Sequence, residues 1–104
     1  MEVNASNIHK EIEKSDKPVF TLIWASWCTA CKRSEVVVSE LEEERDDIKV
    51  LEANIDKNPM LRDEFDIQGV PTFMMFNGGK EVERKVGAQA KRQLIKMIDS
   101  VVNK

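Results

Sequence analysis

The run Val19-Phe20-Thr21-Leu22-Ile23-Trp24 constrains the fold of this chain more than any other segment. Side chains along a strand point alternately to the two faces of a sheet, and here both alternating sets are almost entirely apolar. A strand that is apolar on both faces needs cover on both, which predicts a central strand with helices packed above and below it. At 104 residues, 41% of them apolar, the chain can bury one core, so residues 1–104 are read as a single ordered domain.

The remaining segments fit around that strand. Residues 1–4 read as a short edge strand. Residues 5–15 read as a helix, with Ile8 and Ile12 four apart and Asn4 or Ser6 as its N-cap. A second helix runs from Cys28 to Arg45, with Val37, Val38 and Leu41 as its apolar stripe and a charged, solvated end. Residues 48–54 read as a second central strand. Asn58 as N-cap and Pro59 in the first turn open a short helix that carries Met60, Leu61, Phe65 and Ile67. Residues 72–76 and 81–86 flank Asn77-Gly78-Gly79-Lys80, a hairpin signal. Leu94, Ile95, Ile98, Val101 and Val102 give the last helix one apolar face. The order β-α-β-α-β-α-β-β-α implies an α/β fold with a mixed sheet and helices on both faces.

Charge and termini narrow the function. The net charge is −3 with the two signs interspersed, which argues against nucleic acid or an anionic membrane as partner. The first residues show neither the basic nor the apolar region of a signal peptide, and the stretch around Val19 is too short to cross a bilayer. The expectation is a cytoplasmic monomer.

Cys28 and Cys31 are the only cysteines, placed where the first apolar strand gives way to a helix. In a reducing compartment, a Cys-Thr-Ala-Cys pair points to a redox catalyst that opens and closes its own disulfide. The N-terminus of a helix presents unpaired N–H groups and favours an anion. Cys28 at that end is therefore expected to be the exposed nucleophile. Cys31, one turn further in, is expected to be the more buried resolving thiol. Lys32 beside them adds positive field. A zinc half-site has the same spacing, but zinc takes four ligands and the one histidine, His9, sits on the first helix facing solvent. No metal site is expected. Pro71 in Gly69-Val70-Pro71-Thr72 stands at the mouth of a strand. It is either a cis proline that leaves the Val70 backbone free to pair with an extended peptide, or a trans proline in an ordinary loop.

Taken together, Trp24-Ala25-Ser26-Trp27-Cys28-Thr29-Ala30-Cys31-Lys32, the segment 54–59, Gly69-Val70-Pro71-Thr72, Asn77-Gly78-Gly79 and Val86-Gly87-Ala88 resemble the thioredoxin family over nearly the whole chain. The resemblance implies a thioredoxin fold with a five-stranded mixed sheet flanked by four helices. It also implies a cis Pro71 facing the cysteines and a substrate groove of Trp27, Val70, Pro71, Gly87 and Ala88. The activity it implies is reduction of protein disulfides by Cys28 with Cys31 as resolving cysteine. No bound cofactor is implied beyond the redox-active Cys28–Cys31 disulfide, which a thioredoxin reductase fed by NADPH would recycle. An isomerase-like or oxidising member of the family, or a non-catalytic peptide-binding module on the same fold, are the rival readings.

The chain departs from the family pattern at defined places. Thr29-Ala30 stands where Gly-Pro is usual, and these two residues are expected to tune the site toward a more oxidising couple. Leu22 occupies the position of the buried aspartate that serves the resolving cysteine, and Glu52 stands on the neighbouring strand where a lysine is usual. Glu52 is either a partly buried general base for Cys31 or a solvent-facing carboxylate. Val36 replaces a mid-helix proline, so the helix should be straighter. Arg33, Ser34 and Glu35 replace more apolar residues, which should make the surface beside the site more polar.

Overall fold

The doubly apolar strand lies in the middle of the sheet. The computed structural model describes residues 1–103. In chain order its elements are α1 (Ile8–Glu13), β1 (Val19–Trp24), α2 (Thr29–Glu44), β2 (Lys49–Asn54), α3 (Leu61–Glu64), β3 (Thr72–Asn77), β4 (Lys80–Val86) and α4 (Lys91–Val102). β1 runs parallel to β2 on one side, with Leu22 opposite Glu52, and antiparallel to β3 on the other, with Leu22 opposite Phe73. β4 closes the far edge against β3 through the Asn77–Lys80 turn, where Gly78 and Gly79 take the positive φ values of 63° and 81° that such a turn demands.

Alternation along β1 divides the core. Val19 and Ile23 pack with Ile8, Ile12, Leu51, Leu61 and Met74, the layer of α1 and α3. Phe20 and Leu22 pack with Val38, Leu41, Phe73, Leu94 and Ile98, the layer of α2 and α4. Trp24 is half-buried at the end of the strand and touches both clusters.

The described residues form four strands, in the order β2-β1-β3-β4, and not the five expected. Residues 1–4 contribute one parallel bridge, Glu2 to Glu52, held by Val3 N–H to Glu52 O at 2.8 Å and Glu52 N–H to Met1 O at 2.9 Å. The segment cannot continue as a strand because Asn4 turns it. Its Oδ1 accepts the N–H groups of Ser6 and Asn7 at 2.9 and 3.1 Å. That turn also delays the first helix, which spans Ile8–Glu13 and not residues 5–15. The third helix is a single turn, and Asn58 does not cap it with its side chain. The Asn58 amide is engaged elsewhere: Oδ1 accepts Ala5 N–H at 2.9 Å and Nδ2 donates to Asn54 O at 3.0 Å.

Thr21 is the one misfit in β1. Its hydroxyl is fully buried and has no hydrogen-bond partner among the described residues. A buried, unpaired hydroxyl forfeits about 1–3 kcal/mol of hydration without return. Thr21→Val keeps the shape and removes that loss, so it is expected to stabilise the protein by about 1 kcal/mol. Thermal unfolding should then move up by roughly 4–8 °C for a domain of this size; a lower midpoint would show that the hydroxyl is satisfied.

Candidate functional site

The C-terminal end of β1 delivers the chain to the site. Ala25 O accepts Cys28 N–H at 3.2 Å, a turn that leaves Cys28 as the N-cap of α2. In that place its sulfur does what a capping oxygen does: Cys28 Sγ accepts the Cys31 N–H at 3.2 Å. Both cysteines are free thiols. Cys31 is completely buried and Cys28 is 7% exposed, so the expected asymmetry is present, but the attacking sulfur is less open than the sequence suggested. The reason is the wall facing it: Val70 O lies 3.8 Å from Cys28 Sγ. Burial, together with the hydrogen bond to Cys28, pushes the Cys31 thiol up to about 12.

The loop that carries Val70 is fixed from below. Arg84 on β4 donates to Phe65 O at 2.6 Å and to Asp66 O at 2.9 Å, while its other face grips Glu81. Val70-Pro71 is cis, which decides between the two states left open for that proline. Pro71 O accepts Gly87 N–H at 2.8 Å, which joins the Val70-Pro71 loop to the end of β4. A side-chain carbon at Gly87 would meet nothing within 4 Å. What requires glycine is its φ of 92°.

Val70 thus faces Cys28, Pro71 ties that loop to Gly87, Ala88 follows Gly87, and Trp27 precedes Cys28 in the chain. Trp27 is 69% exposed, an unusual cost for an indole. Asp56 holds it in place: Oδ1 accepts Trp27 Nε1–H at 3.0 Å, and Oδ2 accepts Ser26 N–H at 3.0 Å. Asp56 is the functional-site residue that sequence reasoning missed. The signal was a carboxylate at the end of one central strand facing an exposed indole, a donor with no acceptor of its own, at the end of the next.

The remaining candidates are spread out. Thr29 and Lys32 are exposed on α2, and Ala30 is half-buried. Ser34 corrects an expectation: it is buried, and its hydroxyl donates to Ala30 O at 3.0 Å, so of the three polar replacements only Arg33 is fully exposed. Glu52 lies one strand over, opposite the buried Leu22. It is half-buried, and burial holds its carboxyl above the usual carboxylate range; Glu35, Glu42 and Glu2 push the same way, against the N-terminal amine. His9 faces solvent as expected, but its ring stacks on Phe65 at 5.1 Å and stands 3.5 Å from Glu64. No group of three or more His, Cys, Asp or Glu side chains among the described residues could hold a metal ion.

A family model described as thioredoxin matches residues 1–100. The chain belongs to the thioredoxin family. It is 37% identical over 101 residues to a thioredoxin of Rickettsia felis, covering 96% of both chains. To a thioredoxin of Acidithiobacillus ferridurans it is 37% identical, covering 94% of this chain and 92% of the other. It is also 35% identical to a bifunctional thioredoxin reductase/thioredoxin of Mycobacterium leprae, over 98% of this chain and 22% of that much longer protein. With the four-stranded mixed sheet and its flanking helices, the match identifies the fold as the thioredoxin fold. The protein is a thiol–disulfide oxidoreductase of this family, with protein disulfides as its substrates.

Proposed function

We propose that Cys28 and Cys31 carry this activity within one domain, residues 1–104, in two balanced steps. The Cys28 thiolate attacks a substrate disulfide, forming a mixed disulfide and expelling the first substrate thiolate. Cys31, once deprotonated, attacks Cys28 Sγ, which closes the Cys28–Cys31 disulfide and releases the second substrate thiolate. Two electrons pass to the substrate, and a reductase returns them. The observation that supports these roles best is the sulfur acting as a helix cap: a thiolate at Cys28 is stabilised by the Cys31 N–H and by the start of α2. Trp27, Val70, Pro71, Gly87 and Ala88 form the substrate groove of this reading. The Val70 N–H, which makes no backbone hydrogen bond among the described residues, supports pairing with an extended substrate.

Thr29 and Ala30 set the potential. A proline at position 30 would bring no N–H to the first turn, whereas Ala30 keeps that donor at the helix end that the Cys28 sulfur caps. Extra stabilisation of the reduced form makes the couple more oxidising, and about 30 mV corresponds to 1.4 kcal/mol. The redox group is the Cys28–Cys31 disulfide itself, so no bound cofactor is needed, and the protein works as a cytoplasmic monomer. That compartment suits a dithiol kept reduced, and no helix among the described residues is long and apolar enough to cross a membrane.

Equilibration with a glutathione buffer tests this reading. The pair should be oxidised reversibly, at a potential above about −270 mV. A value at or below that figure would remove Thr29-Ala30 as the tuning device. A pair that never equilibrates would remove the catalytic dithiol and leave the peptide-binding module. A value near about −180 mV would favour the isomerase-like alternative.

A further inference from the structure

Two cavities adjoin the cysteine pair, one on each side, and each ends in an unpaired arginine. The first, about 170 Å³, is lined by Trp27, Ile55, Arg62, Ile67 and Val70. Val70 is the residue whose carbonyl touches Cys28 Sγ. The second, about 320 Å³, is lined by Ala30, Arg33, Val37, Ala88 and Lys91. Ala30 stands between the two cysteines in sequence, and Ala88 follows the Gly87 that is bonded to Pro71.

The charge in these cavities runs against the rest of the chain. The net charge is −3, yet no carboxylate lines either cavity. Lys91 is already matched, at 2.7 Å from Glu44 and 3.3 Å from Glu40. Arg45 and Arg84 are likewise engaged, by Asp47 and Asp99 and by Glu81. Arg33 and Arg62 are exposed, and neither guanidinium takes part in a side-chain hydrogen bond or ion pair among the described residues. Of the carboxylates next in sequence to the first cavity's lining, Asp56 is committed to Trp27 and Ser26 and Asp66 accepts from Gln68, while Asp63 makes no side-chain hydrogen bond or ion pair to Arg62. What remains beside the cysteine pair is two cavities, apolar apart from Gln68 in the first and Ser34, Gln89 and the matched Lys91 in the second, each with a free cationic fork. A guanidinium fork matches a carboxylate in shape as well as in sign.

We propose that Arg33 and Arg62 determine substrate choice: the protein prefers disulfides whose flanking segments carry acidic side chains on both sides of the reactive sulfur. The proposal rests on the oxidoreductase reading above. A substrate cysteine at Cys28 would sit between Trp27 and Ala88, and residues before and after it would reach Arg62 and Arg33. Such rim charges act chiefly on encounter and on the rejection of wrongly charged partners.

The test compares two disulfide peptides of equal length, one with glutamates and one with lysines flanking the cystine, together with uncharged 2-hydroxyethyl disulfide. At low salt the wild-type protein should show a higher kcat/KM for the glutamate peptide, by up to about five-fold for each arginine engaged. The preference should shrink as salt rises and the Debye length falls. Arg33→Glu/Arg62→Glu should invert it, and Arg33→Lys/Arg62→Lys should keep its direction. Equal rates for the two peptides at low salt, or a preference untouched by charge reversal, would overturn the proposal. If the wild-type protein reduces 2-hydroxyethyl disulfide but ignores peptide charge, only this inference falls. If it reduces none of the three, the oxidoreductase reading falls with it.

Discussion

Replacing Cys31 with serine should turn the protein from a catalyst into a trap. Cys28 keeps its cap position and the start of α2, so the first attack on a substrate disulfide proceeds. The second attack has no sulfur to make it. In the native protein Cys31 is one turn away and hydrogen-bonded to Cys28 Sγ through its own backbone, a geometry that makes release intramolecular. Intramolecular attack is worth effective molarities of about 10⁵ M or more, against millimolar external thiol. Turnover of Cys31→Ser should therefore fall by at least about 10²-fold while a covalent adduct accumulates at Cys28. Intact-mass measurement under non-reducing conditions reads the adduct directly. Cys28→Ser should give neither adduct nor turnover. An adduct on Cys31 in that variant would exchange the two roles.

The parts of this design that sequence made legible are those set by local periodicity. Two-faced burial of β1, the one-faced α4 and the glycine turn between β3 and β4 follow from spacing alone, and the structure repeats them. Asn4 makes the bonds expected of a cap, its Oδ1 accepting the N–H groups of Ser6 and Asn7 and its carbonyl that of Ile8, although α1 itself begins later. The misreadings share another cause. Asn58 was read as a helix cap because its side chain suits that place, but it bridges two segments that are distant in sequence. Competition for a single amide is decided by tertiary neighbours and leaves no local trace. The same holds at the site. Cys28, Cys31 and Pro71 announce themselves by type and spacing. The hold of Asp56 on Trp27 and that of Arg84 on the loop before Val70 exist only once β2, α3 and β4 are brought beside the cysteines. Ser34 shows the converse: a polar type suggests surface, yet an intrahelical bond to Ala30 O lets it be buried.

Glu52→Gln should slow the resolving step and stabilise the protein at the same pH. Burial holds the Cys31 thiol well above its ordinary value, so it is overwhelmingly protonated at neutrality. A step that needs its thiolate therefore needs an acceptor for the proton. Leu22 cannot be one. Glu52 pairs with Leu22 across the β1–β2 ladder, is half-buried, and has its carboxyl raised by burial, which moves it toward the pH at which it has work to do. Glu35 on α2 acts electrostatically on both Glu52 and Cys31, which puts all three within one field. Positioned general bases are worth about 10²-fold or more. Loss of Glu52 should lower the rate of mixed-disulfide release by about that factor at pH 7 and make the rate climb with pH as hydroxide takes over. Stability should move the other way. A carboxylate whose folded value is raised favours the fold while protonated, and that contribution is lost as pH rises from the unfolded value through the folded one. Glutamine carries no such loss, so the variant should gain on the wild type in thermal midpoint above the ordinary carboxylate range and forfeit that gain in acid. Stopped-flow release rates and melting curves, taken across the same pH series, read both effects on one pair of proteins. Unchanged release kinetics would remove Glu52 from proton transfer. A pH-independent difference in midpoint would place its carboxylate in solvent.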